Sequence, residues 1–147
     1  MFRLHVISLL FFCSIFEVHA MDKTDVSLKV DNIDSSRHGN VVVFVFGEEG
    51  FPKEHAKAVT RYVFAAETST HTLTISVPKA REFAIKVHHD EDDSGTVTKN
   101  WTGIIPAEGL GFSSGAKIRL GPPSFKSAKM TSPASGKISI PLRYRHP

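Results

Sequence analysis

Beyond residue 20 this 147-residue chain contains no cysteine, because its single one, Cys13, lies in the first segment. A domain without cysteine cannot be stapled by disulfides, so its stability has to come from a packed core. Acids are also missing from the last part of the chain. From Met21 to Glu108 there are ten Lys or Arg against fourteen Asp or Glu; afterwards come Lys117, Arg119, Lys126, Lys129, Lys137, Arg143 and Arg145 with no acid at all. A basic surface attracts anionic glycans, lipids or nucleic acid, unless it faces the acidic part of its own molecule or plain water. Basic runs interleaved with aromatics are absent, which argues against a nucleic-acid surface. Long amphipathic helical patterns are lacking as well.

The longest apolar stretch, Leu4 to Phe16, follows Arg3 and is interrupted or bounded by His5 and Glu17. It falls short of the roughly 20 apolar residues of a membrane span. A positive n-region, an apolar h-region and Val18-His19-Ala20 read instead as a secretory signal cut after Ala20. Phe11 and Phe12 stand before Cys13 where a lipoprotein site needs a small residue. The expectation is therefore a single domain over residues 21–147, secreted or periplasmic, with no transmembrane segment after cleavage.

What is present is period-two alternation. Val26, Leu28 and Val30 share one face, as do Leu73, Ile75 and Val77, then Phe83, Ile85 and Val87, and finally Ile138, Ile140, Leu142 and Tyr144. Each set predicts a strand with one wet face. Val41 to Phe46 is continuously apolar and predicts a central strand buried on both faces. Tyr62 to Ala65 predicts another, and Pro141 makes the last strand an edge. Only Glu54–Thr60 and Ser124–Met130 have room for a helical turn. The pattern predicts an all-β fold, an antiparallel β-sandwich of about seven strands.

Chemistry concentrates between His88 and Phe125, where glycine, proline, aromatics and acids are dense. Asp90, Asp92 and Ser94 alternate before Gly95, the opening half of a calcium loop, with the Thr96 carbonyl at the next ligand position. Trp101 stands where a full loop has a bidentate glutamate, so Glu91, Asp93 or the distant Glu108 completes the set only if the fold brings them close. The alternative is a polar turn whose side chains cap their own backbone. Hard oxygen ligands favour Ca2+ over zinc or copper.

His88 and His89 project to opposite strand faces. His89 is expected beside the core and His88 in solvent. Trp101, with Phe112 nearby, is either a stacking platform for a sugar or peptide or the closure of one end of the sandwich. Gly111-Phe112-Ser113-Ser114-Gly115 spells the serine-hydrolase elbow, but that motif needs a strand–turn–helix on a parallel sheet, which this chain lacks.

The order of these boxes resembles that of the bacterial family called domain of unknown function 2141. The resemblance rests on His89-Asp90-Glu91-Asp92-Asp93-Ser94-Gly95, Asn100, Gly103-Ile104, Pro106, Glu108-Gly109-Leu110-Gly111-Phe112-Ser113 and Pro122-Pro123-Ser124-Phe125, with Gly50-Phe51-Pro52-Lys53 upstream. Departures fall at Thr98, where the family has an acid, at Lys126 and Ser127, at the extra Ile105, and at Val77-Pro78-Lys79-Ala80. The resemblance implies a secreted transthyretin-like (Ig-like) sandwich and does not imply an enzyme.

Three functional classes follow. The first is a non-catalytic binding module for a protein or glycan ligand of the cell envelope, using Trp101, Phe112, His89 and Glu108. The second is an assembly factor that pairs through an exposed edge strand. The third is a small enzyme, for which no nucleophile–base pair is visible.

Overall fold

A computed structural model describes residues 22–145. The expected signal segment, with Cys13 and the cut after Ala20, lies outside the described residues. Seven strands form two sheets: β1 (Lys23–Asp31), β2 (Asn40–Phe46), β3 (Thr60–Ala65), β4 (Thr70–Pro78), β5 (Ala84–Asp90), β6 (Gly109–Phe112) and β7 (Lys137–Pro141). The three-stranded sheet runs β4-β1-β7 and the four-stranded sheet runs β3-β2-β5-β6. Among the described residues, helix is confined to α1 (Phe125–Ala128) and two short 3-10 turns at His55–Lys57 and Ser113–Gly115.

The alternating residues meet between the sheets. Leu28, opposite Leu73 on one side and Ile138 on the other, faces Val43, Ile85 and Val87 within one buried cluster. Burying each such side chain contributes about 1.5–3 kcal/mol, which replaces what disulfides supply elsewhere. β2 sits at the interior of its sheet, and Val41 through Phe46 are all buried. Its inner face packs on the other sheet; its outer face, Val42, Phe44 and Phe46, is covered by Phe51 and Ala58 from the following loop.

Two expectations change. The sandwich is not wholly antiparallel, because β7 pairs with β1 in parallel. As Pro141 predicts, β7 is an edge, but the strand stops there instead of running on to Tyr144. Past Pro141 the chain crosses to the other sheet: the Leu142 N–H donates to the Asp31 carbonyl, and Arg143 exchanges two backbone hydrogen bonds with Leu110.

β6 is the strand the pattern did not reveal. Its Gly109 and Gly111 occupy the inner face, where a Cβ would come within 2.4 Å of the Tyr144 ring and 2.8 Å of Ile140. These glycines permit close approach of chain to chain rather than a left-handed turn. Leu110 and Phe112 consequently point the other way, to the outer face beside Lys86 and His88.

Candidate functional site

The strand parity of β5 divides its polar residues between two environments. His89 turns inward and is fully buried; its Nδ1 accepts from the Tyr144 hydroxyl at 2.8 Å and its Nε2 donates to the His38 carbonyl at 3.0 Å. Tyr144 in turn accepts from the Asp34 N–H at 2.9 Å. This is the histidine hydrogen-bonded beside the core, on the face away from the remaining site residues.

Lys86, His88 and Asp90 turn outward, yet all three are buried. The expectation that His88 faces solvent is therefore wrong: it is 1 % exposed, because loops from residues 47–58 and 91–108 fold back over this face of the sheet. Alternation placed the side chain on the outer face correctly. It carries no information about what later covers that face.

Glu108, just before β6, is 3 % exposed and organises this buried polar group. Its Oε2 accepts from His88 Nε2 and from the Thr98 N–H, both at 2.8 Å, while Oε1 accepts from the Glu91 N–H at 3.0 Å. The fold thus does bring Glu108 to the acidic turn. His88, Asp90 and Glu108 each offer a ligand atom, and these atoms lie within 4.8 Å of one another.

In the Asp90–Thr96 turn itself, the oxygens serve the local backbone. Asp90 Oδ1 and Oδ2 accept from the N–H groups of Ser94 and Gly95 at 3.0 and 2.9 Å. Asp92 accepts from the Ser94 N–H and from Thr98 Oγ1 at 2.6 Å, and these bonds hold its carboxyl well below the usual carboxylate range. Ser94 Oγ donates to the Thr96 carbonyl at 2.9 Å. Gly95, at φ 74°, supplies the left-handed residue such a turn needs.

His55, from the turn after β2, completes the outer layer. Its ring stacks on Phe44 with centroids 4.1 Å apart; Nδ1 donates to the Gly95 carbonyl at 3.0 Å, which leaves Nε2 to accept from Lys86 Nζ at 2.7 Å. Burial first, then the facing Lys86 charge, pushes His55 down to about 4. Lys86 Nζ also donates to the Pro52 carbonyl at 3.2 Å and is pushed down to about 8 by burial, against the opposing pull of Glu108. Lys86 makes no ion pair among the described residues.

Lys86 and His55 form part of the wall of a cleft of about 510 Å³ between the loop over residues 96–106 and that over 118–122. Phe112 and Leu110 line it, and Phe112 meets Phe51 edge-on at 6.2 Å. A second hollow of about 310 Å³ shares His55 and is lined by Val42, Phe44, Arg61, His88 and Asp90. Thr96 lines the larger cleft. Trp101 does not close an end of the sandwich: it is 92 % exposed, on the same loop as the cleft residue Ile104.

Ser113 is 1 % exposed, and its hydroxyl accepts from the Ile85 N–H at 2.8 Å and donates to the Ala128 carbonyl at 2.6 Å. It ties β5 to α1. Lys86 and His55, which sequence reasoning left out of the site, were within reach of it. A lysine inside an alternating strand between Ile85 and Val87 faces whatever covers the sheet.

No curated protein and no solved structure matches the chain significantly. The covered outer face, the glycine strand and the acidic turn all fall within residues 28–140, over which the chain matches a family described as uncharacterised proteins conserved in bacteria, domain of unknown function 2141, and to that family it belongs.

Proposed function

We propose that this chain is a non-catalytic binding module of the bacterial envelope, exported by its first twenty residues, that takes its ligand in the cleft beside Lys86. The observation that carries the reading is the cleft itself. Its size falls within the roughly 300–1,000 Å³ typical of small-molecule sites, and its apolar lining with a few fixed polar groups is the usual composition of such sites. The catalytic alternative lacks support, since Ser113 is spent on backbone groups and His88 on Glu108. The test is a thermal-shift panel of glycans, peptides and metabolites, repeated on Trp101→Ala and Ile104→Glu, two substitutions at exposed positions. A ligand that raises the melting temperature of the parent and not of Ile104→Glu supports the cleft. If every hit is indifferent to both substitutions, the reading fails.

A second reading, a bound divalent cation, is favoured by the convergence of His88, Asp90 and Glu108. A histidine nitrogen among two carboxylates moves the preference from Ca2+ toward manganese or zinc. Melting in chelator, then with each metal at millimolar concentration, decides it. Unchanged melting under all conditions removes the cation, including calcium in the Asp90–Thr96 turn.

A further inference from the structure

The cleft has a sign. Five bases line it (Lys53, Lys86, Lys99, Arg119 and Arg145) and no Asp or Glu does. None of the five joins an ion pair among the described residues, whereas Lys29, Arg37, Lys57 and Lys129 elsewhere each hold a carboxylate. Lys86 is the informative member. It is 3 % exposed, and its partners, the Pro52 carbonyl and His55 Nε2, are neutral acceptors that leave its charge uncompensated at short range. A buried cation of this kind is costly unless an anion completes it.

The cleft is also greasy at its rim, where solvent normally selects polar residues. Ile104 is 72 % exposed and Leu120 fully exposed, and both line it, above the buried Leu110 and Phe112. Exposed apolar residues gathered at one opening mark a binding site for an apolar partner.

From these two features together we infer that the cleft binds an amphipathic organic anion: an acidic head seated on Lys86, and an apolar body running past Leu110 and Phe112 to Ile104 and Leu120 at the rim. This inference rests on the cleft being the ligand site proposed above, and it deepens that reading by naming the ligand class. The Lys86 ammonium supplies a charge-assisted hydrogen bond to the head while His55 and Pro52 hold the side chain in place. The remaining bases raise the local concentration of anions. A neutral amphiphile of the same length meets the same apolar wall but leaves Lys86 without a counter-charge.

The experiment titrates the chain from residue 21 with decanoate, decanol and decyltrimethylammonium, each below its micelle concentration. Calorimetry gives the affinity. The emission of Trp101, the chain's single tryptophan, reports on the loop. Decanoate is expected to bind saturably at one site, about tenfold or more tighter than decanol, as one hydrogen bond to a charged group implies. Decyltrimethylammonium is expected not to bind. Lys86→Met should erase the preference for decanoate over decanol, and Ile104→Glu or Leu120→Glu, on exposed positions that do not endanger folding, should weaken both.

Equal binding of decanoate and decanol, or a preference that survives Lys86→Met, overturns the assigned head site while leaving an apolar binding cleft standing. Binding of none of the three overturns the ligand class, and the binding-module reading is then decided by the thermal-shift panel alone. Partition that never saturates and ignores Ile104→Glu counts as detergent-like adsorption and equally overturns the inference.

Discussion

His88 and His89 are neighbours in one strand, both almost completely buried, and they inhabit different kinds of interior. The inner face of the four-stranded sheet is a hydrocarbon layer with one hydrogen-bond chain at its edge, His38 carbonyl to His89 to Tyr144 to the Asp34 N–H. The outer face buries Lys86, His88, Asp90 and Glu108 under loops, with charge held by backbone N–H groups and by one imidazole–carboxylate contact. One face is covered by a second sheet and the other by connecting chain. The first is held by buried hydrocarbon and the second by polar contacts that must all be made, because a low-dielectric setting strengthens each polar contact and penalises each missing one.

The largest expected effect tests whether the outer face is truly dry. Glu108→Ala leaves His88 and the N–H groups of Glu91 and Thr98 without their acceptor, and removing one partner of a buried pair costs about 3–5 kcal/mol. Leu28→Ala, its counterpart in the inner layer, should cost about 2–5 kcal/mol through lost burial and the cavity left behind. Chemical denaturation measures both. A loss under about 1 kcal/mol for Glu108→Ala, the size of an ordinary exchangeable hydrogen bond, would show that water substitutes there and would collapse the contrast.

A smaller effect follows from titration, and both of its groups, Lys86 and His55, belong to the outer face. Lys86 sits at about 8 in the fold against its ordinary 10.5, so the unfolded chain holds that proton over a range where the native chain has released it. Stability should therefore rise as pH climbs from about 8 to 10.5, and Lys86→Met should abolish that rise. His55, lowered to about 4 from 6.5, works at the other end: the unfolded chain takes up a proton that the native ring refuses, so stability falls as pH drops through that window. Urea midpoints at closely spaced pH values check both slopes. The smallest effect is Trp101→Ala. An exposed side chain of this kind should change stability by less than about 0.5 kcal/mol, and a larger loss would place Trp101 within the packed layers.

The inner layer was legible where the sequence alternates, as it does along β1, β4, β5 and β7. Val41 to Phe46 even announced two dry sides, and β2 is interior to its sheet and buried throughout. β6 escaped because Gly109 and Gly111 fill the positions where alternation is normally read, and their reason for being glycine, Tyr144 and Ile140, comes some thirty residues later. The outer layer escaped for a related reason. Whether His88 meets water depends on a loop closing over it, and Glu108 reaches it only when β6 pairs with β5. The acidic turn was readable as to composition and local capping, and its link to Glu108 was readable only as a condition on the fold.

The crossing after Pro141 bears on when this protein becomes a folded object at all. Asp31, Leu110 and Arg143 stand far apart along the polypeptide, and the seam they make is closed only by residues 137–143. Pairing an early strand in parallel with so late a one demands long-range loop closure and makes folding slow. A ribosome that has released the chain up to residue 130 has therefore delivered every strand of the four-stranded sheet but only the β4–β1 pair of the other, and residues 137–143 act as the zip that joins the two.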